Sequence, residues 1–158
     1  MPRRRLGVEN SDIEQKLQKL AEAFMIDHHA ALIYTMVLVS AADTDMTDAE
    51  LQIIGDIVNH LPAFRDYERK RFTRDLKECA QLLGKDDGLE QALKAIKSTL
   101  PQKLRETAYA VACDVAAADG DASQEELRVL ELLRHRLGID RLIAAAVERG
   151  ARARFATL

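Results

Sequence analysis

The chain has 158 residues, 47% of them apolar and 31% charged, with a formal net charge of −3. That is enough chain to bury a core as one domain without a disulfide or metal staple, and too apolar for an intrinsically disordered segment. The acidic balance gives no global attraction to nucleic acid or an anionic membrane, since both need clustered Lys and Arg.

An aromatic share of 4% without Trp, with many Ala, Leu, Glu and Lys, points to an all-α fold. Residues 1–10, with Arg3, Arg4 and Arg5, read as a disordered tail with no function assigned. From Ser11, a capping box with Glu14 starts a helix whose apolar stripe is Ile13, Leu17, Leu20 and Phe24. Asp27 then caps a helix through Leu32, Met36 and Val39 that is apolar on nearly every side and is expected to be central. Thr47 caps a third helix with the stripe Leu51, Ile54, Ile57 and Leu61, stopped by Pro62.

A fourth helix carries Phe72, Leu76, Cys79 and Leu83 and is expected to close on a left-handed Gly84. Leu89, Leu93, Ile96 and Leu100 define a fifth, and Pro101 fits the first turn of a sixth running to Ala118. Ser123 caps a seventh with Leu127, Leu130, Leu133 and Leu137, closed by Gly138. The last helix is expected from Asp140 to Arg149, stopped at Gly150. The expected organisation is therefore a bundle of seven to eight helices over residues 11–150, with a C-terminal tail at 151–158.

A shift of 76 positions lays Val39-Ser-Ala-Ala-Asp-Thr-Asp-Met-Thr-Asp-Ala-Glu50-Leu51 on Val115-Ala-Ala-Ala-Asp-Gly-Asp-Ala-Ser-Gln-Glu-Glu126-Leu127. The following stripes stay in register, so the repeat copies span about 28–61 and 104–137. Thr47 with Glu50, and Ser123 with Glu126, are explained as capping boxes. Asp43 and Asp119 are not, because each stands at the negative end of the preceding helix, where a carboxylate is disfavoured. Strict up-and-down packing would collect Asp43, Asp45, Asp86, Asp87, Asp119 and Asp121 at one pole. Such a cluster is either solvated or bridged by a hard divalent cation such as Ca2+, which takes several oxygen ligands. The candidate ligands are Asp43, Asp45, Glu50, Asp119, Asp121 and Glu126. Neither loop is an EF-hand, since the Glu comes too early for a twelve-residue loop, so an ion would need both loops or one loop with water.

On these same segments the chain resembles the TerB-like (tellurite resistance protein B) family, over about Met25 to Leu137. The resemblance implies a helical bundle with two related halves, a role in bacterial tellurite resistance or stress response, and an acidic metal-binding surface. It also implies protein partners among other tellurite-resistance or stress-response proteins; a homodimer is compatible with it. The pattern departs at Thr44, where the second copy has Gly120.

No Gly-rich phosphate loop, Gly-x-Ser-x-Gly elbow or His-Glu-x-x-His pair is present, so a non-enzymatic protein without catalytic residues is expected. Glu131 and His135 are one residue too far apart for a di-iron bundle. His28 and His29 read as surface residues or neutral capping neighbours at a helix start, and His60 and His135 as stabilised by the dipoles of helix ends. Cys79 and Cys113 read as reduced core residues, and the longest apolar run, Ala30 to Ala42, is short of the roughly 20 residues of a membrane span, so a cytoplasmic location is expected. Two readings stay open: a metal-binding stress protein that uses the acidic loops, and a helical adaptor in which the acids serve only as caps.

Overall fold

The computed structural model describes residues 11–17, 25–43 and 46–158, and among these every regular element is helical. Residues 11–17 are helical, and seven further α-helices follow: α1 His28–Ser40, α2 Asp48–His60, α3 Phe72–Leu83, α4 Gly88–Thr99, α5 Gln102–Ala117, α6 Gln124–Leu137 and α7 Arg141–Arg154. Two 3-10 turns, Pro62–Phe64 and Arg69–Arg71, join α2 to α3. No helix among the described residues is long and apolar enough to cross a membrane.

The apolar run of α1 has the consequence expected of it. Every residue from His29 to Ser40 is buried, and α2 to α6 all pack against this helix. A helix with no polar stripe has no face to give to solvent, so it becomes the axis of the bundle. Its closest partner is α5, the helix the 76-residue shift lays on it, buried through Ala108, Tyr109, Val111, Ala112, Val115 and Ala116. Asp27 caps α1 by accepting from Ala30 N at 2.8 Å. Cys79 and Cys113 are buried free thiols, and burial pushes both up to about 12, which leaves them inert as nucleophiles.

Several expectations are corrected by packing. Ile13 and Leu17 are exposed, at 54% and 60%, whereas Leu20 and Phe24 of the same stripe lie outside the described residues. Leu51 and Leu127, first in their stripes, are 42% and 47% exposed, because the face turned inward at the start of each helix carries Glu50 and Ile54, and Glu126 and Leu130, instead. Leu89 is similarly exposed at the start of α4. Gly84 closes α3 in the right-handed region (φ −73°), so its backbone freedom is not used; Gly138 closes α6 left-handed at φ 67°. Pro101 is the residue before α5 rather than in its first turn. α7 runs through Gly150 to Arg154 with Ala151 buried, so the tail expected from residue 151 begins only after Arg154.

His29 is also not a surface residue. It is buried between Phe64 (ring centroids 5.7 Å) and Tyr67 (5.3 Å), both supplied by the α2–α3 connection. Behind them Tyr67 donates to the fully buried carboxylate of Asp75 at 2.7 Å, and Arg71 joins Asp27 at 2.7 Å while approaching Asp75 at 3.6 Å. A buried carboxylate is tolerated only when such donors replace its water. This network pins the start of α3 beside the start of α1.

Candidate functional site: the acidic pole

Both loops of the repeat are built by the local chemistry read from the sequence. Thr47 accepts from Glu50 N at 3.2 Å while Glu50 Oε2 accepts from Thr47 N at 2.8 Å. Ser123 and Glu126 make the same reciprocal pair, each bond at 3.1 Å. Each box satisfies two amides that the helix cannot reach. Gly120 takes φ 99°, a left-handed conformation that side chains rarely adopt, and thereby turns the chain out of α5.

The tertiary fold then brings the two loops together. Thr47 Oγ1 lies 3.0 Å from Asp119 Oδ2 in the other repeat and 2.9 Å from its own Glu50 Oε2. One hydroxyl proton cannot serve both carboxylates at once. The two capping glutamates are the second meeting point. Glu50 is 2% exposed and Glu126 5%, and the two carboxyl groups are within hydrogen-bonding reach of each other. Burial, opposed by the amide of Ser123 and reinforced by Glu50 and Asp43, raises the Glu126 carboxyl to about 7. Two buried carboxylates side by side cannot both ionise cheaply, so one proton is held into the neutral range.

The six candidate residues therefore divide. Glu50 and Glu126 form the buried floor, and Asp43 and Asp119 are exposed beside them. Asp121 is exposed and lines a different groove, between α6 and α7. Asp45, with Thr44, lies outside the described residues. The sequence reads Glu50 and Glu126 both as caps and as candidate ligands; the signal for a role beyond capping is that the same Glu recurs at the same offset in both repeats.

Asp86 and Asp87 do not join the pole. The turn that holds them precedes Glu90, onto which Arg136 forks at 2.9 and 2.8 Å. Arg136 is at the far end of α6 from Ser123, roughly 20 Å away at the helical rise. Strict alternation of helix directions fails because α3 crosses α1 instead of running along it: Arg71, just before α3, touches Asp27, and Leu82 in its last turn still lines a cleft with Met25 and Ile26. The remaining histidines lie where expected, with His60 bonded to the Asp56 carbonyl at 2.9 Å and His135 3.9 Å from Glu131.

Among the described residues no three Asp, Glu, His or Cys side chains converge as a finished coordination shell. What the pole does supply is hard oxygen donors from both repeats, the buried pair Glu50 and Glu126 and the exposed Asp43 and Asp119. These are the atoms a hard cation prefers.

A family model described as tellurite resistance protein TerB matches residues 29–148. No curated protein and no solved structure matches the chain.

Proposed function

The chain belongs to the TerB family of tellurite resistance proteins, and from that premise we propose that it is a non-enzymatic, cytoplasmic stress-response protein whose acidic pole binds a hard divalent cation such as Ca2+. The observation that supports this reading is the pairing of Glu50 with Glu126, buried at 2% and 5% exposure, with Asp43 close enough to raise Glu126 further. Charge of that density is relieved by a proton below about pH 7 and by a cation above it. Asp43, Glu50, Asp119 and Glu126 would hold the ion, and water would fill the rest of its shell, as hard cations allow. Asp121, which lines the groove between α6 and α7, is assigned at most a role in attracting it. The bound charge would stabilise the loops for a protein partner from the tellurite-resistance or stress-response systems.

Calorimetric titration of the full chain with CaCl2 at pH 8 tests this. Saturable heat that is absent in Glu50→Gln/Glu126→Gln, with an unchanged helical spectrum, is the expected result. No heat from the wild-type chain with Ca2+, Mg2+ or Mn2+ would overturn the cation reading.

A second reading, an adaptor that needs no ion, is supported by one observation. Met46, Leu51 and Leu127 are 37%, 42% and 47% exposed at the loops and first turns of α2 and α6. Apolar side chains grouped around a charged loop suit a protein contact. That reading would survive silent calorimetry and would be lost if Leu51→Ser/Leu127→Ser left partner binding intact.

A further inference from the structure

A second cleft lies toward the other end of α1, bounded by the residues before α1, the last turn of α3, α4 and the start of α5. Its volume is about 1310 Å³. In a chain of net charge −3 its lining among the described residues is cationic, with Lys94, Lys97 and Arg105 set against Glu78. Ile26, Tyr34, Leu82 and Ala95 supply apolar wall. Arg105 carries the informative detail: its Nε is buried and has no acceptor. An Nε–H withdrawn from water and left unpaired costs free energy, and a shift of the Arg105 side chain toward a negatively charged acceptor in the cleft would recover it. Concave walls of low dielectric also strengthen the field of the cations they carry.

We propose that this cleft binds a small amphipathic organic anion, its phosphate or carboxylate head held by Arg105 and Lys97 and its aliphatic body laid against Ile26, Tyr34, Leu82 and Ala95. The head needs Arg105 because a planar fork offers parallel N–H donors to a tetrahedral or carboxylate anion. The body needs the apolar wall, which inorganic phosphate alone would not cover. The site is independent of the acidic pole: residues 25 and 26 precede α1, whereas Asp43 follows it. The ligand is a free amphiphile, since the cleft is concave, with walls from α1, α3, α4, α5 and the segment before α1, a shape that a flat membrane surface does not match.

The test is calorimetric titration of the full chain with decyl phosphate below its micellar concentration, with inorganic phosphate and decanol as the head and the body alone. Saturable binding of decyl phosphate, clearly tighter than either half, is expected. Arg105→Gln should weaken it at least about tenfold, as losing a charge-assisted bond does. Lys97 is exposed, so Lys97→Gln folds whether or not Arg105→Gln does, and it should weaken binding several-fold. Arg152→Gln, in the groove between α6 and α7, should change nothing. Absence of saturable binding, binding that Lys97→Gln and Arg105→Gln leave unchanged, or capture by phosphatidylglycerol vesicles without binding of the monomeric amphiphile would each overturn the proposal.

Discussion

Thr47 Oγ1 lies 3.0 Å from Asp119 Oδ2, although 72 positions separate the two residues. The bond ties the start of α2 to the loop after α5, and it makes neighbours of two turns that are equivalent in the repeat. The same hydroxyl also caps α2, so it does local and long-range work with one side chain.

Removing the hydroxyl while keeping the branched shape separates those contributions from packing. Thr47→Val should lose about 1–3 kcal/mol, the loss of a cap together with a bond to a charged group. Thr47→Ser keeps the donor and should stay near the wild type. Urea unfolding monitored by circular dichroism measures both, and equal stability of the valine and serine variants would refute the role assigned to the hydroxyl.

The buried glutamate pair should give the fold an unusual pH dependence. Glu126 holds its proton to about pH 7, whereas the unfolded chain releases it near the ordinary 4.5. Between those values the native state binds more protons than the unfolded one, so this group's contribution to stability falls as pH rises and is fully lost above about 7. Glu126→Gln removes the penalty, and its advantage over the wild type should grow by roughly 3 kcal/mol from pH 4.5 to pH 8. Saturating CaCl2 at pH 8 should cancel that advantage by neutralising the wild-type pair. A pH-independent difference between the two proteins would show that Glu126 titrates normally.

Asp75 provides a contrasting case of a buried carboxylate that is fully provided with donors. Tyr67→Phe deletes its 2.7 Å donor and should cost about 1–3 kcal/mol. Asp75→Ala, which opens a hole and unpairs Tyr67, should cost more, about 3–5 kcal/mol. The ordering of the two denaturation midpoints is the check.

Gly88 begins α4 against the end of α3, and a Cβ there would stand 2.0 Å from the Leu82 carbonyl oxygen and 2.9 Å from Leu83 Cα. Backbone atoms cannot yield as a side-chain tip can, so Gly88→Ala should destabilise by several kcal/mol, about 2–4, despite the better helix propensity of alanine. Gly55, with nothing within 4 Å of its added Cβ, is the matched control and should gain up to about 1 kcal/mol as alanine. Thermal unfolding of the two variants distinguishes them.

Sequence alone determined what depends on neighbours within one helical turn. The caps at Asp27, Thr47 and Ser123, the stop at Pro62 and the left-handed Gly138 are contacts over a few residues. Their geometry is set by the backbone and the side chain that follows. The unbroken apolar run of α1 likewise announced a central helix, because only an interior position satisfies it. What tertiary structure decided is which of these local features meet. A periodic stripe gives a face but not which side of it the neighbours cover, so Leu51 and Leu127 are exposed while Glu50, Ile54, Glu126 and Leu130 are buried. The crossing of α3 over α1 removed Asp86 and Asp87 from the acidic pole, and the α2–α3 connection buried His29. The same packing placed two capping glutamates, Glu50 and Glu126, against each other inside the protein. Their proximity comes from the way α1 and α5 pair, and one linear pattern does not encode the distance between two of its own copies.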